Sequence, residues 1–206
     1  RLWTTALAGY LGTDGSSHAE SSNEHSQGLM VGITQRFSEK LSARGGFGYS
    51  NGTVGGAGGE ADTDFAFFNM GARYGFASLE RGLFVDANVS AGYVDYDSKR
   101  ELGGGLGTAK GDTHGNLTGA TLALGYRVPM SSVILEPSLG VRVSHLDLKG
   151  FKEKGSEVAL DVDDSKQTRR SAVASLDMSF ASIAMGSWQL VPGARVGYEH
   201  VLGDHQ

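Results

Sequence analysis

The chain has 206 residues, a formal net charge of -5 and 39% hydrophobic residues, with a mean hydropathy of -0.20 and a pI near 5.6. That length suits one substantial domain, no stretch approaches the ~20 apolar residues of a membrane helix, and the acidic balance offers nothing to nucleic acid. Abundant glycine (32) beside scarce proline (3) and many aromatics argues against disorder, and the lack of cysteine is a weak signal of compartment.

Nine segments alternate between an apolar and a small-or-polar face, as strands do. Residues 1–11 alternate least clearly. Residues 28–37 place Leu29, Val31, Ile33 and Phe37 against Gly28, Gly32, Thr34 and Arg36. Residues 41–50 set Leu41, Ala43, Phe47 and Tyr49 against Ser42, Arg44, Gly46 and Gly48, and 64–76 set Ala66, Phe68, Met70, Ala72 and Tyr74 against Asn69, Gly71, Arg73 and Gly75. In 83–96, Leu83, Val85, Val89 and Tyr93 oppose Asp86, Asn88, Ser90 and Gly92. In 116–128, Ala120, Leu122, Leu124 and Tyr126 oppose Gly119, Thr121, Gly125 and Arg127.

Residues 133–145 are the clearest: Val133, Leu135, Pro137, Leu139, Val141, Val143 and His145 alternate with Ile134, Glu136, Ser138, Gly140, Arg142 and Ser144. Residues 171–184 set Ala172, Ala174, Leu176 and Met178 against Ser171, Ser175 and Asp177. Residues 188–201 set Trp188, Leu190, Val196 and Tyr198 against Gln189, Arg195, Gly197 and Glu199. The charged side is either the wet side of a soluble sheet or the lumen of a barrel whose other side meets lipid.

Connections between these segments alternate short and long. Short ones lie at 38–40, 77–82, 129–132 and 185–187; long ones lie at 12–26, 51–63, 97–115 and 146–170. Outer-membrane barrels have short periplasmic turns and long outer loops, whereas a soluble sandwich has no reason to gather every long loop at one end. The first strand then starts on the periplasmic side. Aromatics agree: Phe37, Tyr74, Phe76, Tyr126 and Trp188 flank short turns, while Tyr49, Tyr93, Tyr96 and Tyr198 flank long loops, all but Tyr96 on the apolar face. Two such belts are expected at two headgroup layers.

The polar face carries Arg36, Arg44, Arg73, Arg127, Arg142 and Arg195 with Asp86, Glu136, Asp177 and Glu199. Opposite charges in a narrow wet lumen pair, arginine forking onto carboxylate. Arg44, Arg73, Arg127, Glu136, Arg142, Asp177, Arg195 and Glu199 are the candidate lumen residues. Glycines 32, 46, 71, 92, 119, 140 and 197 share that face. Two explanations stand: something approaches the wall closely, such as a plug or helix, or the glycines relieve crowding.

Nothing points to a cofactor or metal. His18, Glu20, Glu24 and His25 share a loop without a metal-binding spacing. No G-x-S-x-G or cysteine nucleophile appears, and the run 103–107 lacks a strand-to-helix context. His145 and His200 fall at strand tops on the outward face, an interfacial position. Asp112 and His114 in a long loop leave open an outer-membrane barrel enzyme of protease or lipase type, and a soluble β-sandwich binding module is the third reading.

Several runs carry a family resemblance. Arg100-Glu101-Leu102-Gly103, Gly111-Asp112-Thr113-His114-Gly115 and Leu122–Tyr126 resemble the R-x-L-x-G, G-D-T-x-G and GY run of esterase-type autotransporters. Leu135–Gly140 resembles their L-x-P-x-L-G strand. Gly150–Gly155, with Gln167 and Ser171, resembles G-F-x-E-x-G followed by Q-x-x-x-S, and Pro192 through Tyr198-Glu199-His200 resembles the P…Y-E-H strand. The resemblance implies an all-β, antiparallel up-and-down barrel of twelve strands in the Gram-negative outer membrane, of which about nine are present. It implies a linker helix threading the lumen, a passenger exported through it, insertion by the outer-membrane assembly machinery, and a covering of outer-membrane lipid. The domain over 1–206 is then incomplete at both ends, lacking the helix and the last strands. Any esterase chemistry belongs to a passenger outside this chain, so no catalytic residue carries over.

Overall fold

The computed structural model describes residues 1–13, 22–56, 59–102, 107–155, 160–186 and 188–202. Its strands are β1 (Leu2–Thr13), β2 (Ser22–Arg36), β3 (Leu41–Gly56), β4 (Gly59–Gly75), β5 (Gly82–Glu101), β6 (Thr108–Pro129) and β7 (Val133–Leu148). They continue as β8 (Phe151–Lys152), β9 (Asp161–Val162), β10 (Ser165–Phe180), β11 (Ile183–Met185), β12 (Trp188–Leu190) and β13 (Gly193–Val201). Nine of them form one antiparallel meander in the order β1-β2-β3-β4-β5-β6-β7-β10-β13, with β8–β9 and β11–β12 as small separate ribbons.

Two expectations need correction. Most strands overrun the alternating segments into the long connections; β5 reaches Glu101 and β6 begins at Thr108, where 97–115 reads as a loop. Residues 171–184 and 188–201 are not two continuous wall strands. The wall strand stops at Phe180, whose N–H donates to the Pro192 carbonyl at 2.8 Å. Ile183–Met185 and Trp188–Leu190 then form their own hairpin, turning through Gly186 at φ +64°, and Pro192, which has no N–H, precedes the return into the sheet.

The register shows that the sheet is curled. Arg73 on β4 reaches Glu136 on β7 at 2.6 Å, across two intervening strands. Strands lie about 4.8 Å apart, so two side chains span that gap only if the wall bends toward them. The concave face is therefore the one bearing Arg44, Arg73, Asp86, Arg127 and Glu136. The convex face bears Leu29, Val31, Ile33, Phe47, Phe68, Met70, Val89, Leu122, Leu124, Leu139, Val141 and Val196, all exposed, Leu139 at 70%. No second sheet or helix covers this side among the described residues. A soluble sandwich must bury one face of each sheet, so that reading falls. Contiguous exposed apolar surface of this extent is a membrane or partner surface.

Rings frame the convex band. Phe37, Tyr74, Phe76 and Tyr126 sit at its short-turn end, and Tyr49, Tyr93 and Tyr198 at its long-loop end, all exposed. The Trp188 side chain lies outside the described residues, and Tyr96 follows the concave parity of β5, as its alternation requires. At the short-turn end, Ser38 Oγ accepts from Lys40 N–H and Leu41 N–H, and Ser78 Oγ accepts from Glu80 N–H and Arg81 N–H. These local bonds satisfy turn amides that the ladder leaves over. Arg36 and Glu80 tie the two turns together at 2.5 Å.

Four of the concave glycines face an aromatic ring of a neighbouring strand. A Cβ on Gly32 would collide with Trp3, one on Gly48 with the Phe67 ring, one on Gly92 with Phe65, and one on Gly125 with Phe84. Each ring lies flat on the bare backbone of a neighbouring strand. Of the two explanations left open by the sequence, a close approach to the wall holds at Gly32 and Gly92, and what approaches there is the wall's own aromatic rings. Phe65 and Phe67 also stack, with centroids 5.1 Å apart.

Candidate functional site

The concave charges form a chain across five strands. Arg44 of β3 forks onto Asp86 of β5 through Nη1 at 3.0 Å and Nη2 at 2.6 Å. Its arm crosses β4 at Gly71, where an added Cβ would come within 3.3 Å of Arg44 Nε. Arg73 donates through Nε to Asp86 at 2.9 Å and through Nη1 to Glu136 at 2.6 Å. Arg127 of β6 donates to the same Glu136 oxygen at 3.1 Å, and its buried Nε has no acceptor among the described residues. Three guanidinium groups against two carboxylates leave the cluster one positive charge in excess. The Asp86 and Glu136 side chains are only 12% exposed, so each carboxylate depends on its arginines.

A second group lies on β7, β10 and β13. Arg142 donates to Glu199 at 2.8 Å and to Thr121 Oγ1 at 3.4 Å. This bridge passes over β10 beside Ser171, which is 1% exposed. Arg195 and Asp177, directly opposite each other, form a short ion pair. All eight lumen residues expected from the sequence therefore lie on the concave face in ion pairs. Arg44, Arg73, Arg127 and Glu136 share the first cluster, while Arg142–Glu199 and Arg195–Asp177 are separate pairs. Asp86, left out of that set although on the right face, is the hub of the first; the signal available was its position directly opposite Arg73.

The motif residues of the long connections meet in a strap. After β7 the chain folds inward over the outer ends of β5 and β6. Phe151 lies on Gly111, and Thr113 Oγ1 donates a short bond to the Lys149 carbonyl. Lys110 and Lys154 exchange backbone bonds of 2.9 and 2.8 Å. Arg100 donates to Glu153 through Nη2 at 2.7 Å, and Leu160 N–H donates to the same carboxylate at 3.0 Å. The Arg100 bond first, then the Leu160 amide, hold the Glu153 carboxyl below the usual carboxylate range. Asp164 is lowered likewise, first by Gly150 N–H at 2.7 Å and then by Lys149. Ala109 is fully covered beneath the strap. Since Arg100, Gly111 and Thr113 have concave parity, the strap narrows the outer mouth of the wall.

The remaining candidates do not assemble a reaction centre. Asp112 and His114 project from the convex side of β6; the His114 ring stacks on Tyr93 at 5.8 Å, and Asp112 stands opposite Asp97. His18, Glu20 and most of the glycine run at 103–107 lie outside the described residues. No group of three or more metal-ligating side chains occurs among the described residues.

The geometry agrees with known relatives. Residues 2–206 match the autotransporter β-domain family. Over 175 residues the chain is 30% identical to the esterase EstA of Pseudomonas aeruginosa and to that of Pseudomonas putida, covering 82% of this chain but 27% of each relative. It thus spans about a quarter of the length of the curated relatives it matches. The translocator domain of the Neisseria meningitidis autotransporter NalP shares its fold, with a TM-score of 0.77, 22% identity, and coverage of 99% of this chain and 68% of that one. The β domain of the Bordetella autotransporter BrkA does so at a TM-score of 0.61 and 17% identity, covering 98% and 78%. An apolar convex band between two aromatic belts and a charged concave wall are what such a barrel needs in lipid, and the chain belongs to the autotransporter β-domain family, as an outer-membrane translocator domain for passenger export.

Proposed function

We propose that the concave wall is a guide for a segment of the protein's own polypeptide, held in a hydrated lumen during and after export. The observation that carries this reading is the ion-pair chain Arg44–Asp86–Arg73–Glu136–Arg127 with its excess positive charge. A rigid, polar, cross-strand surface can hold a helix by its acidic side chains. Arg142, Glu199, Asp177 and Arg195 extend that surface toward the far edge. Both edges, β1 and β13, have one unpaired ladder among the described strands. Lipid cannot satisfy such edges, so further strands close the wall. The convex band is covered by outer-membrane lipid, and the barrel reaches the membrane through the outer-membrane assembly machinery. Bond chemistry is assigned to the passenger, of esterase type by the names of the Pseudomonas relatives, and none to this wall.

The test is replacement of Glu136 and Arg142 by alanine in the full-length protein. Slower display of the passenger at the cell surface and an altered pore conductance are expected. Unchanged display together with unchanged conductance would reject the guiding role.

A further inference from the structure

Nine arginines lie on described wall strands. Eight of them, Arg36, Arg44, Arg73, Arg100, Arg127, Arg142, Arg169 and Arg195, have concave parity, and seven of these, all but Arg169, hold a carboxylate. Arg170 alone projects from the convex face, directly opposite Val143 on β7. Its side chain is exposed and makes no hydrogen bond or ion pair among the described residues, although its carbonyl accepts from Leu202 N–H at 2.7 Å.

Its neighbours are also bases. His145 stands opposite Thr168, one convex step outward on β7, and bonds Thr168 Oγ1 through Nδ1 at 2.8 Å, which leaves Nε2 outside that bond. His200 stands opposite Ala172, one step inward on β13. Diagonal neighbours of this kind lie about 7–8 Å apart, within reach of long side chains. Lys166, farther out on the same face, is already engaged by Asp147 at 3.3 Å. On β4, β5 and β6 the outer convex rim is mainly acidic: Asp62, Asp97 and Asp112 form one row and Asp64 and Asp95 another, with Glu60, Lys99 and Lys110 in the next row outward. An anion at this rim is repelled from that sector and drawn to the one around Arg170.

Depth selects the anion. Tyr198 stands opposite Ala174, four residues inward from Arg170. With about 3.3 Å of rise per residue and strands tilted by about 40°, Arg170 is rooted about 10 Å outward of Ala174, toward the headgroups. Directly inward from it lies an open apolar groove of about 550 Å³, lined by Leu124, Pro137, Leu139, Ala174, Leu176 and Tyr198 among others. Small Ala174 between Leu139 and Tyr198 makes its floor. A lone cation above an apolar trough is complementary to a phosphate headgroup above an acyl chain, since guanidinium forks onto phosphate.

We propose that Arg170, flanked by His145 and His200, binds the phosphate of an outer-leaflet glycolipid, one of whose acyl chains lies in the Leu139–Ala174–Tyr198 groove. The site lies on the convex face, outside the export route.

The experiment uses the full-length protein, reconstituted in zwitterionic vesicles containing a small fraction of bis-phosphorylated lipid A. Parallel samples contain dephosphorylated lipid A, phosphatidylglycerol, or inorganic phosphate in the buffer. Retained lipid is counted by native mass spectrometry, and heat-modifiable gel migration confirms the folded barrel. Retention of the phosphorylated glycolipid is expected to fall about tenfold in Arg170→Gln, the loss of one charge-assisted bidentate contact. Arg170→Lys should retain it partly. Ala174→Leu should reduce retention while Arg170 stays intact. Equal retention by the folded Arg170→Gln protein overturns the proposal. So does equal retention of the dephosphorylated glycolipid or of phosphatidylglycerol, or displacement by inorganic phosphate, which would mark an anion site without a lipid.

Discussion

The guanidinium of Arg73 lies 4.0 Å from the centre of the Phe84 ring, and that ring lies on the bare backbone of Gly125. Three neighbouring strands are thus joined in layers: glycine floor on β6, ring from β5, cation from β4. The ring covers one face of the guanidinium, while Asp86 and Glu136 take its edge. Phe84 is 4% exposed, the one large apolar side chain fully packed in the described wall.

Removing that ring should open a cavity and uncover the cation at once. Phe84→Ala is expected to cost about 3–5 kcal/mol in urea unfolding of the vesicle-inserted barrel. Phe84→Leu, which keeps apolar contact but loses the cation–π term of about 1 kcal/mol, should cost less than half as much. A Phe84→Ala cost below about 1 kcal/mol would show that the layering carries no stability.

Asp86 and Glu136 hold the lumen close to neutral. Asp86→Asn leaves three guanidinium groups facing one carboxylate, so the pore should shift toward anions. The reversal potential in a salt gradient across a planar bilayer reads this directly. Breaking a partly buried network should also cost about 2–4 kcal/mol, below the fully buried range because these groups retain some solvent. A double-mutant cycle on Arg73 and Glu136 should give a coupling above about 1 kcal/mol. A selectivity unchanged by Asp86→Asn would mean that the charge faces no ion path.

Much of this wall is legible in the sequence because lipid imposes a rule. Within the bilayer one face must be apolar, so Leu139, Val141 and Val143 must alternate with Gly140 and Arg142. The rule lapses above the membrane. There both faces are wet, and Asp95, Asp97 and Asp112 sit on the convex side of β5 and β6, which continue as strands through what reads as a loop. Ion-pair partners are less legible, since Arg73 and Glu136 are 63 residues apart and meet only through curvature and register. The concave aromatics stay hidden on a face that reads as small and polar, until register sets Phe67 against Gly48 and Phe84 against Gly125. The strap is legible only as separate motif runs; the Arg100–Glu153 pair explains why two of them occur together.

That pair makes the strap sensitive to acid. Glu153 is lowered by Arg100 and then by Leu160 N–H, so its ionised form is bound more strongly in the folded strap than in a free one. The resulting stability is fully present above the ordinary carboxylate value and fades as pH falls through the lowered one. Asp164, lowered by Gly150 N–H and Lys149, adds in the same direction. Amide exchange or protease cleavage across 149–155 and 160–162 should therefore be slow at pH 7 and rise in acid. Glu153→Gln should raise it already at pH 7 and flatten its pH dependence. A strap equally protected at pH 7 in wild type and Glu153→Gln would show that the ion pair is not what holds it.

The covering of the convex face is tested at Leu139. Its side chain is 70% exposed and lies six residues in from the short-turn end of β7 at Val133, about halfway along the roughly ten residues a tilted strand needs to cross a bilayer. In water such a position tolerates arginine within about 0.5 kcal/mol, as surface substitutions usually do. At the middle of a bilayer arginine costs about 2–4 kcal/mol, because no hydration is available and the side chain must snorkel past the band. Leu139→Arg should therefore destabilise the vesicle-inserted barrel by about 2 kcal/mol or more, while Leu139→Phe should be nearly neutral. The same arginine moved outward to His145, at headgroup level, should cost about 0–1 kcal/mol. A depth-independent cost, equal at 139 and 145, would mean that something other than hydrocarbon covers this face.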